Sequence, residues 1–311
     1  MEYLGVYDWF EKTFPCYKVI FKLYFNNAER IIAIKETTKE ENEKKYGINN
    51  DKYKILKNSI NFDTLKIKND KTPKKIKKFL IISRLEEEKK TSILNSILLF
   101  KKYYATNKKA QLTIVGNGNL MQLIIDETKD IESVTKILGE RNDILPIISE
   151  NDIIVALDRC ILEAIAMRKL ALISGYDQIK ELVTPKNIKI ASNENFSGVG
   201  LQNRSIEELV DEIKRINKND IQNIVNENYK YAYDNLNINK NIYFITNPEN
   251  IKIEMDAKKT MESIIELQNM YVSEEQYANK IYKESKEMQK WMETQIENRD
   301  KEIEELKNSI N

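Results

Sequence analysis

The sequence predicts an α/β protein built on a doubly wound parallel sheet, and three observations predict it. Six of the eight glycines fall between Gly116 and Gly200. The apolar runs of that region are short and rich in Ile and Val. Helix-length amphipathic stretches separate them, which is the alternation that βα units produce.

Taken in order, strands are expected at "KFLIIS" (78–83), "QLTIV" (111–115), "VTKIL" (134–138), "DIIVAL" (152–157) and "LALIS" (170–174), with helices between them. A run at "IKIAS" (188–192) is the candidate sixth strand. A helix opens at "SIEE" (205–208), where Ser205 and Glu208 have capping-box spacing. These elements make residues 78–240 one unit. Upstream, residues 28–62 read strand, helix, strand, and residues 1–65 form a first, short α/β segment. The lysine-rich stretch 66–77, with one proline, is the expected linker. In the tail, 241–311, glycine and proline disappear beyond about residue 258, and Met292, Ile296, Arg299, Ile303, Leu306 and Ile310 alternate four and three apart. That is a short heptad seam with an arginine in it, so a helical tail is expected there and a coiled coil is one form it can take. A copy of the chain, a partner protein or the chain's own body could pack on residues 259–311.

Composition narrows the chemistry. Lys+Arg is 50 against Asp+Glu 49, so no overall field draws the chain to nucleic acid or to an acidic membrane. There is no histidine, which removes the commonest general base and metal ligand together with the Ser-His and Cys-His arrangements. The two cysteines, Cys16 and Cys160, are too few for a disulfide framework, and a reducing, cytoplasmic setting is the expectation. No apolar run approaches the ~20 residues of a membrane span, and the N-terminus carries acids where a signal peptide carries bases. No protein-held metal and no nicotinamide cofactor are expected: the cysteines stand apart, no D-x-D run ends a strand, and "VGNGN" (115–119) lacks the rest of a dinucleotide fingerprint.

One acid needs explaining. Glu163 stands inside "ILEAIAMRK", a run of small and apolar residues after the fourth strand. With the helix starting near Ile161, Glu163 falls in its first turn, at the rim of the sheet where ligands settle. Two readings fit. Its oxygens can accept both hydroxyls of a ribose, or it can reach back as a capping-box acid to the N–H of Cys160.

"IISRLEEEKKTSILNSILLF", "LTIVGNGNL", "VTKILGERNDI" and "NDIIVALDRCILEAIAMRKLALISG" together resemble the donor-binding, Rossmann-like half of retaining GT-B glycosyltransferases of family 4, in that family's order and spacing. The resemblance covers about residues 78–183. It implies a nucleotide-sugar donor, with Arg84 and Lys89 on its diphosphate and Glu163 on its ribose. An Arg fork and a Lys point charge suit a diphosphate and the charge left on a departing nucleotide. By composition alone "SRLEEEKK" reads first as an exposed, charge-balanced turn, and the resemblance reverses that reading. Gly116 and Gly118 turn the chain from strand to helix beside the expected ligand crevice. The first of the family's paired glutamates is missing: Val155 stands there, inside the strand. The turn is shortened to "LDRC", which resembles a subgroup with Gly-Arg-Ser before Leu-Glu-Ala, so that Arg159 and Cys160 take the Arg and Ser places. Asp158 either substitutes for the lost acid or pairs locally with Arg159.

The resemblance also shows a shortfall. Only about 65 residues precede the linker, where the family has a complete acceptor-binding domain, and the histidine expected on that domain has no counterpart. Two functions follow from different classes. One is a glycosyltransferase moving a sugar to a glycan, lipid or protein, with Arg84, Lys89, Arg159, Glu163, Gly116 and Gly118 around the donor and no catalytic residue identified. The other is a non-catalytic binding or scaffold subunit that works through its C-terminal helix.

Overall fold

The computed structural model describes residues 31–46, 53–65, 72–176 and 178–241, a few isolated positions within the first 51, and, towards the C-terminus, 282–295 with scattered positions from 262 to 299. Among the described residues the first segment has three short strands, β1 (Glu2–Tyr3), β2 (Ile31–Ala33) and β3 (Tyr53–Ile55), paired parallel in that order. Helix α1 (Glu36–Tyr46) makes the crossover from β2 to β3. The chain then leaves this sheet and inserts Ile60 and Phe62 into the larger unit. Ile60 N donates to Leu236 O at 2.9 Å, Ile238 N donates to Ile60 O at 3.0 Å, and the Phe62 ring meets Tyr229 and Tyr233 edge-on.

The larger unit runs β4 (Lys78–Ile82), α2 (Lys90–Thr106), β5 (Gln111–Val115), α3 (Met121–Glu127), β6 (Thr135–Ile137), α4 (Ile144–Ser149), β7 (Ile153–Ala156), α5 (Asp158–Ala166), β8 (Leu170–Ser174), β9 (Ile179–Leu182), α6 (Ile188–Asn193), α7 (Ile206–Arg215), α8 (Lys218–Asn235) and α9 (Ile238–Asn241). The sheet order is β6-β5-β4-β7-β8-β9, parallel through β8, with Phe79 opposite both Leu112 and Ile153. The chain thus winds first to one side of β4 and then to the other, as expected.

Side-chain alternation along the strands supplies a core on each face. Phe79, Ile81, Leu112, Ile114, Ile153 and Val155 pack one way, with Ile93, Ile97 and Phe100 of α2 and Leu209 and Ile213 of α7. Leu80, Ile154, Ala156, Ala171 and Ile173 pack the other way, with Ile161, Leu162 and Ile165 of α5. The central strands β4, β5, β7 and β8 have apolar residues in both parities, so both faces need helices over them. Helix α7 opens on the capping box that its spacing predicts: Glu208 N donates to Ser205 Oγ at 3.2 Å and Ser205 N to Glu208 Oε2 at 3.0 Å.

The sixth strand is not where the sequence puts it. Residues 188–192 lie in α6, and the sixth strand is β9, antiparallel to β8. A turn in which Gly175 N donates to Gln178 O joins β8 to β9; it is too short for a parallel crossover, so the chain reverses. After β9, Asn187 bonds Thr184 N through Oδ1 and Leu182 O through Nδ2, and the chain then coils with Ile188, Ala191 and Ser192 buried and Ile190 outside. Their spacing is helical, and the alternating isoleucines of "IKIAS" concealed it. The coiled-coil seam lies mostly outside the described residues. Residues 282–295 are helical and exposed, including Tyr282, Met288, Trp291 and Met292.

Candidate functional site

At the carboxyl ends of β4, β5 and β7 the sheet opens into a cavity of about 570 Å³ lined by Ser83, Arg84, Lys89, Gly116, Gly118 and Asp158, among others. This is the crevice where an open α/β sheet takes its ligands. Larger hollows of about 850 and 950 Å³ lie elsewhere, one beside β9 and α7 and one beside the lysines that precede β4. Neither sits at the strand ends that carry the candidate residues.

Two loops are pressed together to form the cavity floor. Ser83 N donates to Val115 O at 3.1 Å, Leu85 N to Asn117 O at 2.9 Å, and Leu120 N to Leu85 O at 2.9 Å. This approach needs glycine on the β5 side. Gly116 and Gly118 have φ of 150° and 152°, and a Cβ would stand 1.8 Å from Ser83 O at Gly116 and 2.4 Å from Leu85 O at Gly118. The two glycines therefore fix the loop that carries Arg84 as well as forming the cavity wall.

Arg84 extends into solvent and pairs with Glu88 at 3.1 Å, both side chains being more than half exposed. Lys89 is buried, at 7% exposure, with its ammonium 4.8 Å from the centre of the Tyr176 ring. Among the described residues no carboxylate forms an ion pair with it. Burial, and then the neighbouring Arg84, push its pKa down. The fields of Asp158 and Glu88 offset this in part, and an anion in the cavity would compensate the buried ammonium further.

Glu163 differs from expectation. Helix α5 begins at Asp158 with Leu157 as its N-cap, so Glu163 is the helix's sixth residue and cannot cap it. The capping-box reading fails on this geometry. Its carboxylate is nearly buried and accepts from Arg159 Nε at 3.0 Å, one turn back. Neither Arg159 nor Glu163 is among the residues lining the cavity; Cys160, on the same helix, is. Burial first, and then the Glu163 and Asp158 carboxylates, raise the Cys160 thiol to about 11, so at neutral pH it is protonated and unreactive.

The early start of α5 comes from Asp158. Its φ is 51°, a left-handed conformation that only Gly, Asn and Asp adopt readily, and its N–H donates to Phe196 O at 3.2 Å. Asn195 and Phe196 are themselves left-handed, at 54° and 55°. Phe196 is buried in the core against α5. The "NFSG" stretch is therefore the brace that holds the turn into α5. Arg159 points to Glu163, so the local Asp158–Arg159 pair is not the one formed. Instead Asp158 lines the cavity. Burial raises its pKa, and Lys89, Lys35 and Arg84 offset this in that order.

Lys35 comes from the first segment, just beyond β2. Its ammonium lies 3.6 Å from Glu194, which also accepts from Thr37 Oγ1 at 3.0 Å. Glu86, Asn117, Glu140, Arg141 and Ile144 also line the cavity and had not been singled out in the sequence. Glu140 and Arg141 follow Gly139, whose φ of 67° marks the turn after β6; a glycine directly after a strand was their one available signal. Among the described residues no cluster of three His, Cys, Asp or Glu could hold a metal, and no helix is long and apolar enough to cross a membrane.

No protein-family model and no curated protein matches the chain. Solved structures do. HepE from Anabaena, crystallised with UDP and glucose, is similar at 14% identity over 79% of this chain and 70% of its own, with a TM-score of 0.55. A glycosyltransferase from Rickettsia africae is similar at 14% identity over 86% and 68%, with a TM-score of 0.50. TarM is similar at 14% identity and a TM-score of 0.53, and the chain spans 44% of its length. At these identities the likeness is one of fold: the chain has the GT-B fold, with the six-stranded sheet as its Rossmann-like half.

Proposed function

We propose that the chain is a glycosyltransferase of the family 4 type, which takes a sugar from a nucleotide-sugar donor to a glycan, lipid or protein acceptor with retention of configuration. The observation that carries this reading is the convergence of Arg84, Lys89 and the two glycine turns on one cavity at the carboxyl edge of a GT-B sheet. The donor's diphosphate would take the place beside Lys89, whose buried charge has no carboxylate paired to it among the described residues. Arg84 can join it, because its present pair with Glu88 is exposed and worth about 0–1 kcal/mol. Both cations then stabilise the negative charge that grows on the nucleotide as the sugar leaves. In this reading Glu163, oriented by Arg159, is the acid for the ribose hydroxyls. Its nearly buried position implies that the α5 turn shifts, or that Arg159 releases it, when the nucleotide enters. No metal held by the protein is part of the proposal, and the nucleotide sugar is substrate.

A second reading keeps the cavity and removes turnover. Among the described residues the first segment offers a sheet of two- and three-residue strands, while Met288, Trp291 and Met292 lie exposed on the C-terminal helix. On this reading the chain binds a nucleotide and recruits a copy of itself or a partner through residues 259–311. Calorimetry and turnover assays with UDP, GDP and ADP sugars separate the two. Sugar release or transfer supports the enzyme, and binding without turnover supports the scaffold. Arg84→Ala with Lys89→Ala must weaken nucleoside diphosphate at least tenfold more than nucleoside; equal losses would contradict the diphosphate assignment.

A further inference from the structure

The wall of the cavity is electrically balanced, which is unusual for a place expected to receive a diphosphate. Its charged lining residues are Arg84, Lys89 and Arg141 against Glu86, Glu140 and Asp158. Asp158 stands apart from the other two acids. It is half-buried, as Glu86 is, where Glu140 is exposed, and its pKa is moved by burial and by the cations around it. It lies within the fields of Lys89, Lys35 and Arg84 together. It also occupies a left-handed position, where Gly or Asn would serve the backbone as well and bring no charge. Phe196 O holds its backbone there through the N–H, so the fold sets the point from which the side chain lines the cavity.

We propose that Asp158 is a specificity residue that sets substrate against product: its carboxylate shares the cationic cluster with the donor's diphosphate and selectively weakens the hold on the free nucleoside diphosphate. This rests on the donor reading of the cavity and extends it. In a nucleotide sugar the diphosphate is esterified at both ends. Once the sugar has left, the terminal phosphate gains about one more negative charge at neutral pH, because its second ionisation falls near pH 6. Like-charge repulsion in a partly desolvated cleft grows with that charge. A carboxylate within the field of the two cations therefore costs the product more than the donor, and the product leaves more readily.

The test is calorimetric titration of the folded wild-type chain, Asp158→Asn and Asp158→Gly with the nucleosides, nucleoside diphosphates and nucleoside diphosphate hexoses of uridine, guanosine and adenosine. Both substitutions suit the left-handed backbone, so thermal unfolding should stay close to wild type. In both variants the nucleoside diphosphate is expected to bind at least tenfold tighter, the hexose ester to gain clearly less, and the nucleoside to stay unchanged. Unchanged or weaker diphosphate binding overturns the inference and leaves the donor reading intact, as do equal gains for diphosphate and ester. Failure of all three proteins to bind any of these compounds overturns the donor reading and the inference with it.

Discussion

Replacing Gly116 by alanine probes the contact that makes the site. The added Cβ would lie 1.8 Å from Ser83 O, a backbone atom with no rotamer to escape into. Ordinary carbon–oxygen contact needs more than 3 Å, so the Ser83 carbonyl must retreat by over an ångström. That movement runs directly into the Ser83 N–Val115 O and Leu85 N–Asn117 O bonds. Forcing alanine to φ of 150° costs about 1–3 kcal/mol, and the steric insertion adds about 1–3 kcal/mol. The sum, about 2–6 kcal/mol, is a large part of the 5–15 kcal/mol that typically holds a domain together. Gly139→Ala is the control, since its φ of 67° is also left-handed but nothing lies within 4 Å of its Cβ; only a strain cost of about 1 kcal/mol is expected there. Urea unfolding of both variants, read by circular dichroism, gives the two values, and nucleotide titration of the surviving folded fraction reports the cavity. If Gly116→Ala unfolds within 0.5 kcal/mol of Gly139→Ala (a margin of roughly the usual scatter) and binds nucleotide normally, the close-approach reasoning is wrong.

Glu163→Gln removes a carboxylate whose partner Arg159 is largely exposed, so stability should move by less than about 1 kcal/mol while nucleotide affinity drops several-fold; undiminished affinity would reduce Glu163 to a local helix pair. Burial holds the Cys160 thiol near 11 against an ordinary 9.0, so at pH 8 roughly one molecule in a thousand carries the thiolate, and, since a higher pKa also makes the thiolate more nucleophilic, a disulfide reagent should react with it at least about tenfold slower than with a free thiol. Because the folded value is raised, the fold favours the neutral thiol; that stabilisation is complete below pH 9 and is lost as pH climbs through about 11. Truncation at residue 258, followed by light scattering, tests association through the tail, and an unchanged mass rules it out.

The parts of the fold that could be read from sequence are those set by local pattern. β5 and β8 match their expected limits because each is a buried apolar run bounded by polar residues or glycine. β9 was missed because "IKEL" buries only its two ends and becomes a strand through the tight reversal after β8. Among the site residues, Arg84, Lys89, Gly116 and Gly118 do share one cavity. The start of α5 was misread because it depends on a bond from Asp158 to Phe196, 38 residues further on, and no window of sequence contains both. The same misreading put Glu163 in a first turn that it does not occupy.

The turn at 194–196 joins two regions that are distant in the chain. Glu194 is gripped by Lys35 and Thr37, and Phe196, two peptide units later, grips Asp158. Three consecutive residues therefore carry contacts to the first segment on one side and to the wall of the cavity on the other, so the seating of that segment and the position of Asp158 rest on the same short turn.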